Sequence, residues 1–198
     1  MRCMARQCRE PHRVFFRFLS TSNTHSNKKY HMKSKLTTLI LTLIFLCQTQ
    51  AKAQNAILRL SHYERAVRVI KYYEGWHDIR KNYPYIGWGH QIQPSEHFTR
   101  NLTVAEADSL LRTDLNRLCT MFRKYGKDSL LLAVLAYNVG PYKILGNKKR
   151  PKSRLLQKIE SGNRNLQSDY LSFCRWKGKV IPSIRRRRMM EYYLLTTP

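Results

Sequence analysis

"KYYEGWHDIRKNYPYIGWGHQI", residues 71–92, joins the end of a helical pattern to an aromatic, glycine-rich segment, with Glu74 at the joint. Upstream, the apolar positions Ile57, Leu60, Tyr63, Val67, Ile70 and Tyr73 recur at intervals of three and four. That period predicts an amphipathic helix over 56–74, stopped by Gly75. Glu74 follows Ile70 by four residues and Val67 by seven, so it shares their inward face. Burial and the negative end of the helix dipole both disfavour a charged carboxylate there, and the expected resting form is the protonated acid. Cleavage of a glycosidic bond needs such a group, because the leaving sugar oxygen must receive a proton. The competing reading at this point is a glutamate paired with one of the chain's many arginines.

Downstream, Asn82 to Gln91 reads as short strands or a hairpin with sharp turns. Thr103 and Glu106 form a capping box that opens a helix with Leu110, Leu111, Leu115, Leu118 and Phe122 as its inner stripe. Asp128 is expected to cap "SLLLAVLAYNVGP" (129–141), which is apolar nearly all round and so predicts a buried central helix ended by Gly140 and Pro141. "GNKKRPKS" (146–153) reads as an exposed basic loop, and Ser153 as the cap of a short helix that stops at Gly162. Two more helices are expected, over 164–176 and over Ile184–Leu195, the last entered through Pro182. The fold class is therefore α+β, mainly α, with one small sheet.

The ends have different expected fates. From Met32 the chain reads "MKSKLTTLILTLIFLCQTQAKAQNA": a positive start (Lys33, Lys35), an apolar run from Leu36 to Cys47, then Ala51-Lys52-Ala53. That order predicts a secretory signal at 32–53, too short for a comfortable membrane span, with an uncleaved anchor as its competitor. Residues 1–31 are arginine-rich and aperiodic, and read as an upstream extension with no part in the fold. The remaining 54–198 is the size of one domain and carries 27 Lys and Arg against 11 Asp and Glu, a surplus of 16 positive charges. Such a surface attracts polyanions, and export makes an anionic cell wall a more natural partner than nucleic acid. Cys119 and Cys174, the cysteines left in 54–198, could pair or remain buried thiols, and neither reading is preferred.

Taken together, Glu74-Gly75 at a helix end, Ile86-Gly87-Trp88-Gly89-His90, "LAYNVG" (135–140), "PKSRLLQKIESGN" (151–163) and "RWKGKVIPSIRRRRMMEYYLL" (175–195) resemble the phage-type lysozymes, the endolysins of tailed phages. The resemblance runs in order over nearly all of 54–198 and implies a lysozyme-like domain with a small hairpin beside a catalytic cleft. It further implies hydrolysis of the β-1,4 bond between N-acetylmuramic acid and N-acetylglucosamine, peptidoglycan as substrate, no metal or organic cofactor, and action outside the cytoplasm as a monomer. By that resemblance Glu74 is the general acid. The family usually places an Asp nine positions after this Glu and a Thr six further on. Here Tyr85 stands in the Thr slot, the hairpin is about four residues shorter, and no Asp has the expected spacing.

The nearest carboxylate, Asp78, is the first candidate for the second catalytic group, against a role in capping the loop. His77 is a candidate base for water, and Tyr85 a hydroxyl donor near the vacant Thr slot. His90 reads as a holder of the hairpin, with substrate contact or proton transfer as its alternative, Trp88 as packing or as a sugar platform, and Asn138 as a hydrogen-bonding group in the cleft, against a cap of the helix's C-terminal backbone. Of Arg185 to Arg188, which step around the last helix, one or two are expected to pin it to the body. The alternative function is a wall-binding protein on the same fold without catalysis.

Overall fold

The computed structural model describes residues 38–42 and 56–198. The chain divides into two units, Met1–Arg59 and Leu60–Pro198. In the first, residues 38–42 and 56–58 are helical. The expected extension and most of the expected export signal lie outside the described residues. No described helix is long and apolar enough to cross a membrane.

The second unit is mainly helical. It begins with α1 (His62–Glu74), whose start is set by Ser61: the Ser61 hydroxyl accepts from the Glu64 N–H at 3.3 Å. The continuous helix expected from residue 56 is thus interrupted, because a serine that caps turns the chain out of helical geometry. After α1 come α2 (Ile79–Asn82) and a hairpin of β1 (Tyr85–Ile86) and β2 (His90–Gln91), with Tyr85 opposite Gln91 and Ile86 opposite His90. The turn between them passes through Gly87 and Gly89, both at positive φ. A Cβ on Gly87 would lie 2.9 Å from the Ala107 Cβ, so the missing side chain lets the hairpin sit on the next helix.

That helix, α3 (Val104–Met121), opens with the predicted capping box, and Leu111, Leu115 and Leu118 are buried along it, followed by Phe122. Leu110 is only half-buried. A 3-10 stretch (Arg123–Asp128) leads into α4 (Ser129–Val139), where six consecutive residues from Leu131 to Ala136 are buried. This is the central helix, packed against α3. Asp128 does not cap it: both carboxylate oxygens accept from Arg164, at 2.7 and 2.8 Å. A bidentate guanidinium competes successfully with a single backbone N–H.

Next come α5 (Tyr142–Leu145), α6 (Arg154–Glu160), capped by Ser153 as expected, and α7 (Gln167–Leu171). The single helix expected over 164–176 stops at Leu171. A second hairpin follows, β3 (Arg175–Trp176) with β4 (Lys179–Val180), turned through Lys177 and Gly178 at positive φ. The described residues therefore form two small antiparallel sheets, where one was expected.

The last helix, α8 (Pro182–Thr196), lies against α1, α4 and α7. Its inward face is Arg187, Arg188, Glu191 and Leu194, three charged groups and one leucine. Arg65 on α1 fastens its end, donating to the carbonyls of Leu194 and Thr197 and so filling acceptors left open at a helix C-terminus. Cys119 and Cys174 are both free thiols.

Candidate active site

Glu74 ends α1, and Gly75 follows with φ of 68°, returning its N–H to the Lys71 carbonyl at 3.0 Å. The chain then pairs with the hairpin: His77 and Gly87 exchange backbone hydrogen bonds of 2.8 and 3.0 Å. This short bridge folds the glycine turn back over the end of α1. A Cβ on Gly89 would lie 3.1 Å from the Glu74 Cγ and 3.2 Å from Oε2, so the absence of a side chain there makes room for the carboxyl.

Glu74 is mostly covered, with 18% of its side chain exposed, and its polar contacts converge on one oxygen. Arg187 Nη2 is 2.7 Å from Oε1, and the Asn138 amide donates to the same atom at 3.4 Å. No described residue donates to Oε2. The sequence expectation of a resting protonated acid counted burial and the helix end; the structure adds a guanidinium in contact, which that expectation left out. Glu74 is thus both sheltered and paired with an arginine, combining the two readings open from sequence.

Behind Glu74 lies a buried network in which Arg188 Nε has no hydrogen-bond partner among the described residues. Arg187 Nε donates to Glu191 Oε1 at 2.7 Å, Arg188 Nη1 to Glu191 Oε2 at 2.6 Å, and Arg188 Nη2 to the Asn138 side-chain oxygen Oδ1. Tyr170 donates its hydroxyl to Glu191 at 3.0 Å. Arg188 and Glu191 are completely buried, and Arg187 is 6% exposed. Burial opposes the charge on Arg187, but Glu74 and Glu191 outweigh it and its pKa is raised. Two guanidiniums face two carboxylates, so the cluster is neutral when Glu74 is ionised. Asn138 joins the network from α4, held by Arg188 and facing Glu74. Sequence reading anticipated pinning arginines here and left open an arginine partner for Glu74, but it did not single out Arg187, which a helical wheel of α8 alone cannot show.

Asp78 caps α2 with one oxygen, which accepts from the Arg80 and Lys81 N–H groups at 2.9 and 3.3 Å. Its other oxygen accepts from the Asn101 amide at 2.6 Å. Asn101 and these backbone N–H groups hold the Asp78 carboxyl below the usual carboxylate range. Both oxygens are engaged in fixing the segment between Glu74 and the hairpin. Asp78→Ala is therefore expected to lower the melting temperature while leaving turnover within about threefold of wild type; a loss comparable to that of a general acid or base, roughly 100-fold or more, would make Asp78 catalytic.

Tyr85 is half-buried on β1, its ring 6.0 Å from the imidazole of His77. His77 is buried, and its Nδ1 has no hydrogen-bond partner among the described residues. Trp88 is half-buried; its carbonyl accepts from the Tyr137 hydroxyl at 3.1 Å, and its ring packs on Trp76. His90 is clamped on both sides, by Asp114 of α3 at 2.6 Å and by Glu96 at 2.7 Å. It fastens the hairpin to α3. Burial works against its charge, but the two carboxylates prevail and raise its pKa above the ordinary 6.5. Glu96 is lowered from 4.5: burial pushes it up, but the Gln93 N–H and His90 overcome that.

These shifts set a pH window. The raised His90 stabilises the fold fully below about pH 6.5, and its contribution is lost as pH rises through the folded value; the lowered Glu96 contributes above 4.5 and loses its share as pH falls. The difference in unfolding free energy between wild type and His90→Asn is expected to be largest between these limits and to shrink toward alkaline pH. Urea titrations at pH 5.5 and 9 read it out; an equal difference at both would contradict the assignment.

Comparisons with known proteins agree with the fold. The sequence profile described as "Phage lysozyme" matches residues 71–191. The endolysin of Escherichia coli O157:H7 phage FAHEc1 superposes with a TM-score of 0.54 at 17% identity, covering 70% of this chain and 94% of that one. The muramidase domain of SpmX from Asticaccaulis excentricus superposes with a TM-score of 0.56 at 23% identity, covering 71% of this chain and 100% of that one. No curated protein sequence matches this one. The profile begins on the helix that ends in Glu74 and closes at Glu191 on the helix that holds Glu74 from behind, and the chain belongs to the phage lysozyme family.

Proposed function

We propose that this protein is an exported muramidase that acts, as a monomer, on the β-1,4 bond between N-acetylmuramic acid and N-acetylglucosamine in peptidoglycan. The observation that carries this reading is the asymmetry of Glu74: Arg187 and Asn138 hold Oε1, while no described residue donates to Oε2. A proton on Oε2 passes to the glycosidic oxygen as its bond to the anomeric carbon breaks, leaving oxocarbenium character on the sugar. With that proton on Glu74 the buried cluster carries one surplus positive charge; once the proton leaves, two carboxylates balance Arg187 and Arg188. Arg187 and Asn138 contact the carboxylate that remains on Glu74 as the proton departs. Water then adds at the anomeric carbon, and the proton it releases returns to the Glu74 carboxylate.

Export through residues 32–53 would deliver the enzyme to its substrate, and the basic surface would hold it near an anionic wall, an attraction that salt weakens. Incubation with purified peptidoglycan and mass analysis of the soluble products tests the reading. Fragments ending in N-acetylmuramic acid at the reducing end are expected; intact sacculi, or fragments ending in N-acetylglucosamine, would refute it. The engagement of both Asp78 oxygens favours a second reading, a wall-binding protein without turnover. That reading predicts sedimentation with sacculi and no new reducing ends.

A further inference from the structure

We infer that Trp76 is a sugar-stacking platform forming a glycan-binding subsite beside Glu74. The identity of the ligand as a glycan rests on the muramidase reading. Trp76 is 36% exposed, two residues beyond Glu74, which places their Cα atoms within about 7 Å along the chain. That is the reach of the sugar next to a scissile bond held at Glu74.

Single apolar side chains on a surface are common and mean little. Trp76 differs in being held in place. The residue before it is pinned by the Gly75 N–H to the Lys71 carbonyl, and the residue after it by the His77–Gly87 bridge. Its ring meets the Trp88 ring at 83°, with centroids 5.0 Å apart. Trp88 is itself fixed, through its carbonyl to Tyr137 and by the Lys71 ammonium 5.4 Å from its ring centroid; Lys71 is in turn paired with Asp108. Trp88, half-buried with a buried indole nitrogen, is thus the support. Trp76 is the ring left open.

A planar aromatic surface that is already ordered loses little side-chain entropy on binding. The C–H face of a pyranose is apolar and removes water from such a ring on stacking, while the sugar's hydroxyls stay at the edge. Such a contact binds ground state and transition state alike, so its loss falls on KM and not on kcat.

The test combines kinetics with intrinsic fluorescence, since the chain has three tryptophans, Trp76, Trp88 and Trp176. Trp76→Ala is expected to raise KM on peptidoglycan about tenfold with kcat within about twofold, and Trp76→Phe to restore most of the affinity. Titration with a soluble β-1,4-linked N-acetylglucosamine hexamer should shift the fluorescence of wild type and of Trp176→Phe, but at the same hexamer concentration not of Trp76→Ala, in which Trp88 remains as a reporter. Thermal unfolding confirms that each variant is folded. A folded Trp76→Ala with unchanged KM, or with an undiminished fluorescence shift, overturns the subsite. If wild type cleaves peptidoglycan and these variants behave as wild type, the muramidase reading stands and the subsite falls. If wild type cleaves nothing yet shows the Trp76-dependent shift, the reverse holds.

Discussion

Glu74→Gln is expected to reduce release of reducing sugars from peptidoglycan by about 10²- to 10⁴-fold, the usual contribution of a positioned general acid. The substitution keeps the shape of the side chain and leaves a carbonyl oxygen that can still accept from Arg187 and Asn138. It removes the ability to hand a proton to a leaving oxygen. Sedimentation with sacculi should persist, since the basic surface and the aromatic residues are untouched. Retained binding with lost turnover separates chemistry from attachment. Full turnover by a folded Glu74→Gln protein would remove Glu74 from the reaction.

The largest loss of stability is expected from Glu191→Leu. Glu191 is fully buried and receives Arg187, Arg188 and the Tyr170 hydroxyl. A leucine fills similar space but satisfies none of the three. Removing one member of a buried charge network leaves its partners unpaired in a medium that solvates them poorly, at a cost of about 3–5 kcal/mol. Arg188 suffers most, being itself fully buried with Asn138 as its other partner. The shift of the urea midpoint, at unchanged slope, measures this cost. Arg187 rests on this carboxylate directly and Asn138 through Arg188, so turnover should fall together with stability. A loss under about 1 kcal/mol would mean that water reaches the cluster and that its closure is weaker than the distances imply.

Much of the fold was legible because its signals are local. The Thr103–Glu106 box, the Ser153 cap and the unbroken apolar run of α4 each act within a few residues, and all three appear where expected. The errors each have a definite physical cause. Ser61 has the same capping chemistry as Ser153 but sits inside a pattern periodic enough to hide it. Asp128 looks like a cap and is claimed by Arg164, thirty-six residues away. Over 164–176 the apolar spacing suits a helix, yet Lys177 and Gly178 turn the chain into a hairpin, and its first strand takes the end of that segment.

The sequence by itself determined that an acid followed by glycine ends a helix and meets a glycine hairpin, since helix period, cap and turn chemistry are all properties of neighbouring residues. Only the tertiary structure decided what that acid faces. Glu74 and Arg187 are more than a hundred residues apart, as are Arg65 and the carbonyls it fastens, and His90 meets Asp114 from another element. Such pairings leave no periodic trace in a chain with so many arginines, because the choice among them is made by which helix face is buried against which. The packing of α8 on α1 and α4 makes that choice, and it turns an ordinary glutamate into a carboxyl with one oxygen held and the other open.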